Sequence, residues 1–266
     1  MSKIDLYNGD CLEAMDKLIA KGVVVDAIIC DPPYGTTTCK WDSVIPFPEM
    51  WERLNKLIKP NGAIVLFGSE PFSSALRMSN IKNYKYDWVW EKNIASNFMG
   101  TKYQPLKYFE NISIFNKHNY YPIKEPKTSK SSISRYKYKL KGSNKPKDIL
   151  GGFIDDGKPR EFDSTMNFPN SIRKIDVVPR YKGTLHPTQK PVALMEYLIK
   201  TYTNEGELVL DFTAGSGTTP VACDNTGRDC IAIENDDDYF DVMTNRVAEN
   251  KKRIEDTVVE KGLFDE

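Results

Sequence analysis

Residues 209–223 read VLDFTAGSGTTPVAC. An apolar run, a turn with two glycines and a row of small residues follow one another. The run has the length and content of a buried strand. Gly215 and Gly217 permit backbone conformations and a close ligand approach that a Cβ would block. The helix expected after them offers free N–H groups to an anion or a polar ligand. The next apolar stretch, DCIAIEN, ends in Glu234. An acid about 20 residues beyond such a turn can accept hydrogen bonds from two ribose hydroxyls. The pattern points to a nucleoside-type cofactor; an ordinary strand-to-helix turn is the competing reading. It is not G-x-x-x-x-G-K-[ST], which argues against a P-loop.

On the C-terminal side, DYFDVMTNRVAENKKRIEDTVV reads as a long helix. Before the turn, PVALMEYLIKTYT places Leu194, Leu198 and Tyr202 on one helical face. The first third of the chain alternates in the same way. KIDLYN is a short strand. CLEAMDKLIAKG is a helix with Asp10 as its cap and Gly22 as its stop. VVVDAIICD is a buried strand, FPEMWERLNKLIKPNG an amphipathic helix ended by Pro-Asn-Gly, and AIVLFGS another buried strand. SSALRMSN reads as helical, and YDWVWEK and NISIFNK as alternating strands. Trp88 and Trp90 then belong to core and sheet surface rather than to a binding group. This β-α-β-α order predicts an α/β fold with a mostly parallel sheet covered by helices.

The texture changes near residue 117. Residues 117–147 carry ten Lys/Arg against Glu125 alone, a net charge of +9, with Tyr120, Tyr121, Tyr136 and Tyr138 interleaved. The whole 266-residue chain is neutral, with 37 basic and 37 acidic residues, so this charge is localised. A solvated loop is one reading. Phosphate neutralisation, with tyrosines stacking on bases, is the other. Gly, Pro, Asn and Asp dominate from there to about Gly183. The expected organisation is a domain of residues 1–116 and 185–266 with residues 117–184 as an inserted module.

Cys11, Cys30, Cys39, Cys223 and Cys230 form no CxxC pair, and two histidines are too few for a metal site. No apolar run reaches the ~20 residues of a membrane span. The start MSKIDLYNGD has no signal-peptide pattern. A cytoplasmic protein without metal or membrane partner is expected.

DPPYG, residues 31–35, follows the strand VDAIIC. Strand carboxyl ends are where open α/β sheets place their sites. Pro32 and Pro33 stiffen the segment. The Asp31 carboxylate and the Pro32 carbonyl become two fixed acceptors, and Tyr34 adds a flat face. An exocyclic amine on a base offers two N–H donors and a π-face, which is the complement. A plain Pro-Pro turn beside a core tyrosine is the alternative. In TTTCKWD, residues 36–42, a loop closing over a base and simple packing of Trp41 stand equal.

DPPY, then HPTQKP at 186–191, then DFTAGSGTT at 211–219 resembles the β group of S-adenosylmethionine-dependent DNA amino-methyltransferases. The resemblance spans the chain outside about 117–184, and the order of the motifs makes it specific. It implies a Rossmann-like, seven-stranded, mostly parallel sheet with helices on both faces and a circularly permuted motif order. The strand ending in Glu234 would lie beside IDLYN. Asp10 would meet the cofactor's adenine and Glu234 its ribose. Asp211, Thr213, Ala214, Gly215, Ser216 and Gly217 would form the turn beneath its methionine part. Thr218, Thr219, Thr188 and Lys190 would hold its amino-acid end. Asp31, Pro32, Pro33 and Tyr34 would form the catalytic turn. Residues 117–184 would recognise the target, with 117–147 contacting duplex DNA, and relatives of this group often form homodimers.

Two departures stand out. The family's D-P-F-x-G reads Asp211-Phe212-Thr213-Ala214-Gly215, and its frequent His-Glu strand start reads Phe109-Glu110. The resemblance implies methylation of adenine N6 in duplex DNA, preferred because Asp31 stands where cytosine-N4 relatives often carry Ser. Cytosine N4, an RNA adenine and an inactive nucleic-acid-binding subunit are the alternatives. Intact catalytic and cofactor motifs argue against the last.

Overall fold

The computed structural model describes residues 2–36, 42–127, 165–178 and 189–262. The chain forms two compact units, Met1–Tyr121 with Ser171–Glu266, and Pro122–Asn170.

The first unit is built on one sheet. Its strands are β1 (Ile4–Asn8), β2 (Val25–Cys30), β3 (Ile58–Gly68), β4 (Tyr84–Glu91), β5 (Phe109–Phe115), β8 (Ile172–Lys174), β9 (Leu208–Asp211) and β10 (Asp229–Glu234). They lie in the order β1-β10-β9-β2-β3-β5-β4-β8. Only β5 runs against the others. The N-terminal strand does pair with the strand ending in Glu234, in register Asn8↔Glu234. Seven strands were expected. The eighth is the three-residue β8, which adds parallel to β4.

Among the described residues, six α-helices cover the two faces: α1 (Cys11–Ala20), α2 (Phe47–Leu57), α3 (Phe72–Ser79), α4 (Val192–Tyr202), α5 (Thr218–Asn225) and α6 (Asp237–Gly262). Successive strand residues enter opposite cores. Ile29, Val65 and Phe67 pack with Leu194, Leu198, Val221 and Met243. Ile28, Ile64 and Leu66 pack with Met15, Leu18, Leu54 and Leu76. This two-sided burial is why the central strands read as unbroken apolar runs. Each fully buried Leu or Ile contributes about 1.5–3 kcal/mol. Trp88 and Trp90 are both buried in the first of these cores.

Two boundaries differ from the sequence reading. Helix α2 stops at Leu57, ahead of Pro-Asn-Gly, and the backbone is already extended at Ile58. Pro60 disfavours helical backbone at Lys59 and has no N–H to donate, so the chain leaves the helix early. Residues 117–121 and 171–178, read as part of the insert, belong to the first unit. Val89 N donates to Ser171 O at 2.8 Å, and Trp90 Nε1 to Ile175 O at 2.8 Å.

In the second unit, β6 (Glu125–Pro126) and β7 (Met166–Asn167) pair antiparallel. The Lys124 ammonium sits 5.3 Å from the Phe168 ring centre. Residues 128–147 of the basic stretch lie outside the described residues, as do Thr188 and Trp41.

Candidate active site

The carboxyl ends of β1, β2, β9 and β10 converge on one cavity of about 1710 Å³. Asp10, Asp31, Tyr34, Lys190, Gly215 and Glu234 all line it. The two glycine-turn and DPPY motifs, far apart in sequence, therefore share one space.

Thr213 joins them. Its hydroxyl donates to the Asp31 carbonyl at 3.1 Å and lies 2.9 Å from Cys30 Sγ. The departure from the family's phenylalanine thus supplies a tie between the ends of β2 and β9. Beneath it, Asp211 Oδ2 accepts from Thr219 Oγ1 at 2.5 Å and Asp211 Oδ1 from Thr213 N at 3.2 Å. Burial pushes the Asp211 carboxyl up to about 6, against the pull of these hydrogen bonds.

Helix α5 begins from Gly217, whose φ of +78° suits glycine. A Cβ there would lie 2.7 Å from Met243 Cγ. Arg246 on α6 braces this turn, donating to Ser216 O at 3.0 Å and Thr218 Oγ1 at 3.2 Å. The hydroxyls of Thr218 and Thr219, expected at the cofactor's amino-acid end, therefore already bind within the protein.

Against the same turn, Glu234 collects three backbone amides: Gly215 N at 2.6 Å, Asn235 N at 3.0 Å and Asp236 N at 2.9 Å. Burial pushes its carboxyl up while these amides pull it down, and the net direction is up. Asp10 Oδ1 caps α1 through Leu12 N at 2.9 Å and Glu13 N at 3.1 Å. Gly9 N donates to Glu234 O at 2.9 Å, which holds the two acids at neighbouring strand ends.

The DPPY turn is more heavily tied than its sequence suggests. Tyr34 OH donates to Asp31 Oδ1 at 2.5 Å, and Lys190 Nζ contacts Asp31 Oδ2. One side of the Tyr34 ring stacks on Phe72, with centres 5.1 Å apart. Burial, then the Asp31 charge, pushes the Tyr34 phenol up, so it stays a donor. Burial also pushes the Asp31 carboxyl up, and Lys190 and Tyr34 only partly offset that. An ionised carboxylate has about four acceptor positions, so two ties leave room for an incoming N–H.

Lys190, expected beside the cofactor's amino-acid end, thus lies against Asp31. It also reaches Glu110 Oε2 at 3.3 Å, and Glu110 Oε1 accepts from Lys92 Nζ at 2.9 Å. Sequence reasoning assigned no role to Glu110, Lys92 or Asp42. An acid at the head of the alternating strand FENISIF was the visible signal for Glu110. Asp42 accepts from the amides of Tyr34, Gly35 and Thr36.

The Asp31, Asp10 and Glu234 carboxylates thus line one cavity. The profile of the family described as DNA methylase, of the N6/N4 methyltransferases, matches residues 25–245. The chain belongs to that family.

The methylase is 27% identical to the Type II methyltransferase M.HpaI of Haemophilus parainfluenzae over 238 residues, 84% of this chain and 68% of that protein. It is 27% identical to the Type II methyltransferase M2.DpnII of Streptococcus pneumoniae over 277 residues, covering 94% and 92%. Among solved structures it is similar to M1.HpyAVI in complex with SAM, at a TM-score of 0.60 and 27% identity, covering 91% of this chain and 99% of that one. The cytosine-N4-specific PvuII DNA methyltransferase shares the fold at a TM-score of 0.60 and 16% identity, covering 96% and 93%. The methylase is accordingly a DNA methyltransferase of the N6/N4 group. Among the described residues no helix is long and apolar enough to cross a membrane, and no cluster of His, Cys, Asp and Glu is arranged to hold a metal ion.

Proposed function

We propose that this methylase transfers a methyl group from S-adenosylmethionine to the N6 amine of adenine in duplex DNA. One observation carries the reading: the Asp31 carboxylate lines the same cavity as the Gly215 turn and Glu234.

The residues present suit that cofactor. Glu234, with three amides already on its carboxylate, has about one acceptor position left for a ribose hydroxyl, and Asp10 has Oδ2 left over from capping for an adenine amine. The turn at Gly215–Ser216 lines the cavity beside them. Bound there, S-adenosylmethionine supplies an electrophilic methyl group on a sulfonium, which becomes a thioether as the amine is methylated.

The chain's own residues do the rest. A base flipped from the duplex reaches the cavity. Asp31 and the Pro32 carbonyl accept the two N–H bonds of its amine. This draws the nitrogen lone pair out of conjugation with the ring. Tyr34 OH holds Asp31 Oδ1 and its ring offers the face turned from Phe72. Fixed placement of both partners accounts for most of the rate, and oriented acceptors for the remainder. The methylated nitrogen sheds one proton toward Asp31 or solvent.

Adenine rather than cytosine N4 rests on aspartate at the first position of DPPY, where the resembling cytosine-N4 enzymes often have serine. The region 122–170 is assigned to target recognition, and the basic stretch 117–147 to DNA phosphates. A homodimer is the expected assembly. The test is incubation of the protein with labelled S-adenosylmethionine and mixed-sequence duplex DNA, alone and in competition with RNA, then nucleoside digestion and mass measurement. N6-methyldeoxyadenosine is the expected product. N4-methyldeoxycytidine would overturn the base assignment, and transfer to RNA in preference to DNA would overturn the polymer.

A further inference from the structure

Charges alternate in a row behind the DPPY turn. Asp31 meets Lys190, Lys190 meets Glu110 at 3.3 Å, and Glu110 meets Lys92 at 2.9 Å. These side chains are 22%, 7%, 16% and 5% exposed in that order. The four come from separate places: the end of β2, the approach to α4, the start of β5 and the residue after β4. Their charges sum to zero. Asp31 is the most exposed member and terminates the row.

An ammonium as buried as Lys190 is costly unless paired. It has three N–H donors, and two carboxylates compete for them. The contact with Glu110 is an ion pair rather than an aligned hydrogen bond. The ammonium also lies 5.2 Å from the Phe67 ring centre and 5.8 Å from that of Tyr34. It is thus held from several sides at the place where it meets Asp31.

We propose that Lys190 is a positioning residue for Asp31 and not a ligand of the cofactor: backed by Glu110 and Lys92, it fixes the rotamer and the charge of the carboxylate that receives the target amine. This rests on the proposed methyl transfer for the identity of that amine, but not for the coupling itself.

The groups facing Asp31 are Tyr34 from its own turn, Lys190, Glu110 on β5, and Cys30 and Asp211 at the ends of β2 and β9. Lys92 stands behind Glu110. Among the described residues, Lys190 is the cation in direct contact with Asp31. Without it, Asp31 is left beside the like charge of Glu110, and proton uptake is favoured. Neutralising Glu110 instead removes a like charge while Lys190 stays in contact, and proton uptake is disfavoured. A packing role for Lys190 predicts no such opposition of sign.

The full-length protein, labelled with ¹³C at aspartate Cγ, can be titrated by NMR without cofactor or DNA, with Asp31 assigned from Asp31→Asn. Lys190→Gln should raise the Asp31 midpoint by about one pH unit or more, while Glu110→Gln lowers it. Lys190→Arg should stay near wild type. In the same proteins, S-adenosylmethionine affinity should remain within about threefold in Lys190→Gln, while the acid limb of its single-turnover pH profile moves up together with the Asp31 midpoint, by about one pH unit or more, and transfer recovers as pH rises. The proposal is overturned if both variants move Asp31 the same way or not at all. It is equally overturned if Lys190→Gln weakens cofactor binding about tenfold with the Asp31 midpoint in place. Should Lys190→Gln not fold, the downward shift in Glu110→Gln and its absence in Lys190→Arg decide the matter. A wild-type protein that binds S-adenosylmethionine yet methylates no DNA would overturn the proposed function, and the titration would still decide the coupling.

Discussion

Asp42 Oδ1 accepts the backbone N–H of Tyr34 at 2.7 Å, pinning the DPPY turn from the far side of its loop. The same carboxylate takes Gly35 N at 2.8 Å and Thr36 N at 2.9 Å. Gly35 has a φ of +67°, which lets three successive amides wrap one anion. Asp42→Ala strands these amides and should cost about 1–3 kcal/mol. Looser placement of Asp31 and Tyr34 should lower single-turnover methyl transfer about tenfold or more. Cofactor affinity should not change. Urea unfolding, isothermal titration and transfer assays on one preparation check all three.

Asp211 ties stability to pH. Its folded value is about 6 against an ordinary 3.8, because burial disfavours the charge. Between these values the folded state holds a proton that the unfolded state has released. The contribution is therefore fully present below the unfolded value and is lost as pH rises through about 6. Its ceiling is roughly 3 kcal/mol. Asp211→Asn should escape this loss. Relative to wild type, the variant should gain stability between pH 4 and pH 7, read as a shift in urea midpoints.

Gly217→Ala meets two obstacles at once. The φ of +78° is strained for alanine, and the new Cβ would lie 2.7 Å from Met243 Cγ and 3.2 Å from Met243 Cβ. The turn would have to move away from α6, loosening the Arg246 brace. Destabilisation of about 1–3 kcal/mol is expected, together with weaker cofactor binding. Thermal unfolding with and without S-adenosylmethionine separates the two effects, since bound cofactor should raise the midpoint less in the variant.

The basic stretch 117–147 should give DNA binding a steep salt dependence. Its net +9 is the largest local charge in a neutral chain. Replacing Lys137, Lys139 and Lys141 by Gln should flatten the slope of log affinity against log salt by about 3 if all three neutralise phosphates. Methyl-donor affinity should stay as it was. An unchanged slope would assign the stretch to something other than DNA.

Much of this site was legible in one dimension because its signals are local. A strand buried on both faces must be apolar throughout, so VDAIIC and LVLDF announce themselves. A Gly-rich turn after such a strand, a Pro-Pro segment after another and an acid ending a third are each short-range patterns. Their shared position at strand ends follows from α/β architecture. Asp10 as a cap was readable on the same basis, whereas Glu234 beside β1 followed from the family resemblance.

Lys190 and Glu110 were not readable in their observed roles. Lys190 lies 159 residues from Asp31, and nothing in HPTQKP says which of two neighbouring ligands its ammonium will meet. Glu110 faces the site only because β5 turns back between β3 and β4 and pairs Glu110 with Trp90. Asp42 looked like one more loop residue until three amides closed on it. The residues alone determined which elements form and which strand ends carry polar groups, because hydrophobic periodicity and turn chemistry act over a few residues. Which charges share a buried space depended on strand order and register. Only the tertiary structure decided those, because a buried charge takes its partner from whatever the packing brings within about 4 Å.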